Sequence, residues 1–175
     1  MQKMIRNNWI IELGYEYDKQ ALLDLYTKHE LIPYKHQVTG RELGFSHCYT
    51  RELFKEPVVQ KIIDDFSFLD LRFEFGEHCA TAGFTLCKSH MTPDCTIIPH
   101  IDHLRPACLT FPLTFPQEVQ FYENEQTVFE YQYCRAVVAN VGTHKHGVNY
   151  SPHPRKQFQL DVFNSWEEIN EIFKE

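Results

Sequence analysis

From Ala80 onward, apolar and polar positions alternate in short runs. Turn residues interrupt them about every eight to twelve positions, a strand rhythm rather than a helical one. Strands are expected near 80–88, 95–102, 107–113, 117–123, 127–133, 135–141, 144–150 and 156–163. Thr92-Pro93-Asp94, Phe115-Pro116, Glu123-Asn124-Glu125 and Ser151-Pro152-His153-Pro154 supply turn material between them, each rich in residues that bend or stop a strand. Eight strands in this order predict a mainly β fold with flanking helices, a double-stranded β-helix or jelly roll of the cupin type.

The preceding residues follow a different rhythm. Trp9 to Leu13 reads as a short strand. Asp18 then caps a helix that carries Leu22, Leu25, Tyr26 and His29 on one face and ends by Ile32-Pro33,. Residues 34–50 are polar and contain Gly40 and Gly44, so they are expected to be loop with room for one short strand, either a lid or a connection. A second helix starts at Pro57, where proline suits the first turn, with Val58, Val59, Ile62, Ile63 and Phe66 on one side. Phe68 to Phe75 alternates as a strand would. After the last strand, Ser165 and Glu168 form a capping box, and Trp166, Ile169, Ile172 and Phe173 give the closing helix its apolar side. No repeat or Gly/Ser linker divides the chain. The expectation is one domain over 1–175, with the jelly-roll core at about 80–163, helices and strands over 1–79 and a helix over 165–175.

Composition narrows the function. At 175 residues the chain can bury a core without disulfide or metal staples. The net charge is −7 with scattered basic residues, which gives no electrostatic footprint for a duplex, so nucleic acid is not an expected partner. No apolar run suits a membrane span, and Met1 to Asn8 lacks the apolar core of a signal peptide, so a cytoplasmic setting is expected. The six cysteines contain no Cys-x-x-Cys pair, consistent with reduced, partly buried thiols. Cys87-x-x-His90 is half of a zinc pattern with no second half.

The chemistry gathers between Pro99 and Phe163. In a strand, residues two apart share a face, so His100 and Asp102 can reach one ion together. A second imidazole comes from His144 or His146, which parity alone does not separate. Two imidazoles and one carboxylate leave the opposite side of a metal open and suit Fe(II) or Mn(II), whereas thiolates would favour zinc. Arg155 opens the run Gln157-Phe158-Gln159-Leu160-Asp161-Val162-Phe163, whose alternate residues face inward. Its planar fork suits the distal carboxylate of 2-oxoglutarate. Tyr122, Tyr131 and Tyr133 alternate with apolar partners and read as sheet packing.

Taken together, Pro99-His100-Ile101-Asp102, Ala107-Cys108-Leu109-Thr110-Phe111-Pro112-Leu113, Asn140-Val141-Gly142-Thr143-His144-Lys145-His146-Gly147-Val148-Asn149 and Arg155 resemble the core of the 2-oxoglutarate and Fe(II)-dependent dioxygenase superfamily. The resemblance is to the branches near the prolyl hydroxylases and aspartyl/asparaginyl β-hydroxylases. It covers a little over a third of the chain closely. It implies a hydroxylase with Fe(II) on His100, Asp102 and His146, 2-oxoglutarate on Arg155, and O2 as the further cosubstrate. His146 is favoured as the distal ligand by its spacing to Arg155 and by the small Gly147 beside it. Thr110 matches a position that often faces the oxoglutarate. Gln157 stands where many members have a serine, and its amide could donate the same hydrogen bond. From their place in the chain, His103 and Arg105 are either solvated loop residues or a substrate mouth. His144 is a mouth residue, a support for the ligands or solvated, and Asn140, Asn149 and Tyr150 are candidates to orient the histidines. The implied reaction hydroxylates a small metabolite or an amino-acid side chain, with 2-oxoglutarate decarboxylated to succinate. The rivals are a metal-binding cupin without oxygenase activity (an isomerase or sensor, with no need of Arg155) and a catalytically silent interaction domain.

Overall fold

In the computed structural model the described residues are 4–35, 40, 42–48, 51–72, 82–87, 97–103, 105–115, 117–149 and 154–174. In chain order they form β1 (Ile10–Glu12), α1 (Lys19–Lys28), β2 (Ile32–Lys35), β3 (Glu42–Cys48), a 3-10 turn (Arg51–Lys55), α2 (Pro57–Asp65), β4 (Ala82–Cys87), β5 (Ile97–His100) and β6 (Ala107–Pro112). There follow β7 (Glu118–Glu123), β8 (Gln126–Gln132), β9 (Val137–Ala139), β10 (Lys145–Val148), β11 (Arg155–Val162) and α3 (Trp166–Ile172). The strands pair in two sheets, β1-β9-β6-β11-β4-β3-β2 and β5-β10-β7-β8. Each named pairing is antiparallel. β4 to β11 are the eight strands expected of the jelly roll, and β1, β2 and β3 widen its larger sheet.

The period-2 alternation separates two cores. Leu109, Phe111, Val138, Phe158, Leu160 and Val162 lie on one face of the larger sheet, in a buried cluster with Leu22, Leu25 and Tyr26 of α1, Val59 and Ile62 of α2, and Trp166 and Ile169 of α3. The intervening Cys108, Val137 and Ala139 join Ile10, Val119, Phe121, Tyr131 and Tyr133 in the other cluster, between the sheets,. Burying each large side chain contributes about 1.5–3 kcal/mol. A sheet covered on both faces explains why β6 is buried at every position,.

The helices follow their end signals. Asp18 accepts from the backbone N–H of Ala21 at 2.9 Å and starts α1. Pro57 begins α2. Ser165 and Glu168 close both halves of the capping box at α3,.

Two expectations change in part. The one strand allowed within 34–50 is the seven-residue β3, which pairs with both β2 and β4, and the end of β2, which starts at Ile32, also enters the segment. Pro33 is tolerated because β2 is the sheet's edge,. At the start of the 68–75 segment the chain turns instead, Leu69 N–H donating to Phe66 O at 3.0 Å. Sheet pairing there is a single bridge, Leu71 to Val162, and residues 73–80 lie outside the described residues. So do His90, Tyr150, and the cysteines at 79 and 95. Cys48, Cys108 and Cys134 are free thiols. Among the described residues no helix is long and apolar enough to cross a membrane.

Candidate metal centre

β5 ends on His100, and β10 runs antiparallel beside it with His146 directly opposite. The pairing is close because Gly147 has no side chain: a Cβ there would lie 2.7 Å from Ile97 O and 3.2 Å from Pro99 N. Asp102 follows two residues after His100, its backbone N–H donating to Val141 O at 2.9 Å. These constraints converge three side chains. The His100 and His146 ring centroids are 4.5 Å apart. Asp102 Oδ1 lies 3.2 Å from His100 Nε2 and 4.0 Å from His146 Nε2. One ligand atom from each residue falls within 4.8 Å of the others, a separation that one divalent ion could span.

Backbone carbonyls orient both rings. His100 Nδ1–H donates to Ile98 O at 2.8 Å, and His146 Nδ1–H donates to His144 O at 3.3 Å. His146 Nε2 is then left with its lone pair, the tautomer a metal ligand needs, whereas His100 Nε2–H donates to Asp102 Oδ1 and would give up that proton to a metal,. Burial pushes the His146 pKa down to about 4, which keeps that ring neutral at neutral pH. Hydrogen bonding to Asp102 raises His100 above its ordinary value, against the opposing effect of burial. Burial alone would raise Asp102, but the His100 hydrogen bond and the Arg105 charge hold its carboxyl below the usual carboxylate range. An ionised carboxylate and two Nε2 lone pairs form a donor set suited to Fe(II) or Mn(II).

Arg155 opens β11 opposite Cys87 of β4. It is only 7% exposed, and its Cζ lies 5.2 Å from the centre of the buried Tyr133 ring. Among the described residues no carboxylate pairs with it, and its Nε–H has no hydrogen-bond partner. Gln157, the next residue on the same strand face, is also buried, with Oε1 unpartnered among the described residues. Thr110 is buried beside them. Its Oγ1 accepts from Gln159 Nε2 at 3.3 Å and lies 3.6 Å from Cys108 Sγ, a second hydrogen-bond partner. Buried polar groups are normally satisfied, so the unpartnered Nε–H of a buried guanidinium is suited to an anion.

The other residues singled out from the sequence are dispersed around this centre. His103 is exposed. His144 faces away from the carboxylate cluster: its Nδ1 accepts from Asn140 Nδ2 at 3.0 Å, and its ring lies edge-on to Trp9. Asn140 therefore orients His144 rather than a member of the cluster, and Asn149 is engaged through its backbone N–H with Gln120 Oε1. Arg105 turns inward. Its Nε–H donates to Asp102 Oδ2 at 2.8 Å, and its Nη1 reaches Asp161 of β11 and Cys108 Sγ. Sequence reasoning missed Asp161, the carbonyls of Ile98 and His144, and the contact of Tyr133 with Arg155. The alternation of β11, which aims Arg155, Gln157, Gln159 and Asp161 to one side, was the available signal for Asp161.

No protein-family model matches the sequence, and no curated protein matches it significantly. Solved structures do. The fold is similar to a prolyl hydroxylase from Trichoplax adhaerens in complex with a peptide fragment of the hypoxia inducible factor oxygen degradation domain. That match has TM-score 0.58 and 14% identity, covering 95% of this chain and 86% of that one. It is also similar to a prolyl-4-hydroxylase from Pseudomonas putida (TM-score 0.51, 13% identity, 89% and 92% covered). A prolyl 4-hydroxylase from Phytophthora capsici matches at TM-score 0.52 and 14% identity, over 91% of this chain and 60% of that one. These neighbours belong to the superfamily that the motif stretch resembles, and at this identity the likeness is one of fold.

Proposed function

We propose that the protein is a 2-oxoglutarate- and Fe(II)-dependent hydroxylase, with His100, Asp102 and His146 as the metal ligands and Arg155 as the anchor for the cosubstrate's distal carboxylate. The observation that carries this reading is the pairing of two features in one jelly roll. A His-Asp-His cluster has its ligand atoms within 4.8 Å, and a buried arginine lacks a carboxylate partner among the described residues. A cupin that only held a metal would have no use for the second.

Bound Fe(II), 2-oxoglutarate and O2 supply the oxidising chemistry, coupling decarboxylation to succinate with hydroxylation of a C–H bond. The chain's part is binding and shielding. His100 and His146 offer Nε2 and Asp102 offers Oδ1, while Arg155 takes a carboxylate through its fork. Thr110 could turn its hydroxyl proton from Cys108 Sγ to the carboxylate, and Gln157 lies on the same strand face as Arg155. Tyr133 covers the guanidinium and keeps water from it, so the charge pairing acts in a low-dielectric pocket. The substrate is a small metabolite or an amino-acid side chain, and the peptide bound to the Trichoplax neighbour supports a peptidyl one. The free thiols of Cys48, Cys108 and Cys134 support a reducing, cytoplasmic setting.

The test is anaerobic titration of the metal-free protein with Fe(II) and then 2-oxoglutarate, followed in the visible spectrum. A weak charge-transfer band that requires both additions and fades in Arg155→Ala is the expected result. Succinate released on admitting oxygen should follow. Tight Fe(II) binding without the band would instead assign a metal-binding cupin, and no metal binding would leave an interaction domain.

A further inference from the structure

Arg105 is positioned to act on the ion through another residue. Asp102 turns Oδ1 toward the two Nε2 atoms, at 3.2 and 4.0 Å, and gives Oδ2 to the Arg105 Nε–H at 2.8 Å. The guanidinium is itself held: Nη1 donates to Asp161 and to Cys108 Sγ. Its backbone is pinned too. Gly142 N–H donates to Pro106 O at 2.8 Å, and a Cβ on Gly142 would lie 2.7 Å from Arg105 O and 2.5 Å from Pro106 Cα. Asp161 lies opposite Cys108 on β11, the strand that also carries Arg155. One fork therefore ties the carboxylate of the metal cluster to the strand that would hold the cosubstrate.

We propose that Arg105 is a positioning residue that, braced by Asp161, reserves Oδ2 of Asp102 so that only Oδ1 is offered to the metal. Coordination sites that a swinging carboxylate would occupy then stay open for a chelating keto acid. The inference rests on the metal-centre reading above. Its physical basis is that a carboxylate can bind a cation through one oxygen or both, and a charge-assisted hydrogen bond on one oxygen opposes the second mode. Lysine cannot substitute, because a single ammonium lacks two donors in a fixed plane.

The test compares wild type with Arg105→Met, Arg105→Lys and Asp161→Asn, all full length. Each metal-free protein is titrated with Co(II) by calorimetry and visible absorption, and the Co(II) form is then titrated anaerobically with 2-oxoglutarate. In Arg105→Met we expect Co(II) affinity equal to or tighter than wild type, an altered d–d spectrum, and 2-oxoglutarate affinity weaker by roughly tenfold or more. Arg105→Lys should not restore 2-oxoglutarate affinity, and Asp161→Asn should fall between. Parallel weakening of Co(II) and 2-oxoglutarate binding with a falling Tm would mark a merely structural role and overturn the proposal, as would wild-type behaviour in all variants. Arg105→Lys and Asp161→Asn carry the same comparison if Arg105→Met fails to fold. Absence of Co(II) binding by wild type would overturn the metal-centre reading itself, and this inference with it.

Discussion

Replacing Gly147 with alanine puts the geometry of the centre under direct test. Gly147 sits between the paired residues His146 and Val148, where the β10–β5 register shifts. The added Cβ would meet Ile97 O at 2.7 Å, Pro99 N at 3.2 Å and Pro99 Cα at 3.4 Å. All three are backbone atoms of β5, so no side chain can rotate away. An ordinary contact begins near 3.4 Å, so the oxygen is too close by about 0.7 Å, and β5 must separate from β10. Overpacking of this kind costs about 1–3 kcal/mol. For a chain of this size that lowers Tm by roughly 2–12 °C, at about 2–4 °C per kcal/mol. The separating strands carry His100 and His146, and metal sites tolerate only about 0.2 Å in ligand distance. Co(II) affinity should therefore fall by about tenfold or more. The assay pairs thermal denaturation with Co(II) calorimetry, using Gly14→Ala as the control, because a Cβ there meets only Met4 Sδ at 3.5 Å. If Gly147→Ala melts with the control and binds Co(II) as wild type does, strand proximity does not set the centre and the reasoning fails.

Other predictions address separate links. Arg155→Met should leave the metal-free fold within about 1 kcal/mol of wild type or more stable, since an arginine buried without a carboxylate carries its desolvation cost uncompensated. The same change should weaken 2-oxoglutarate binding to the Mn(II)-loaded protein by roughly thirtyfold or more, read by calorimetry. Buried Glu12 accepts from Ile5 N–H, Tyr131 O–H and Cys134 S–H at 2.7, 2.8 and 3.1 Å. Burial would raise its pKa, but these donors hold it below the ordinary value of 4.5. The ionised form is thus favoured in the fold, and its stabilisation is full above 4.5 and lost as pH falls through the lower folded value. The Tm gap between wild type and Glu12→Gln should accordingly shrink below pH 4.5, and a gap constant with pH would contradict this. Ser165→Ala removes one half of the α3 capping box and should cost about 1 kcal/mol, a shift of a few degrees in a thermal melt.

Much of the architecture was legible because its signals are local. The period-2 runs after Ala80 marked the eight jelly-roll strands to within a few residues, and Asp18, Pro57 and Ser165 marked three helix starts. Where a pattern met competing contacts it decided less or misled. The polar stretch 34–50 left room for a short strand without placing it, and β4 places it by giving residues 42–48 a strand to pair with. Phe68 to Leu71 alternates, yet the chain turns on Phe66 and returns to bridge Val162.

The candidate centre divides in the same way. Residue types and spacing alone put His100 and Asp102 on one face and started an inward-facing stripe at Arg155, because a strand's alternation is a property of its own backbone. That His146 meets them, while His144 turns to Asn140 and Trp9, was decided by the register of β10 against β5. The same assembly put Arg105 between Asp102 and Asp161, residues 59 positions apart in the chain, and aimed the Ile98 and His144 carbonyls at the two imidazoles. Contacts between segments distant in sequence depend on how the strands dock, and no local periodicity encodes that.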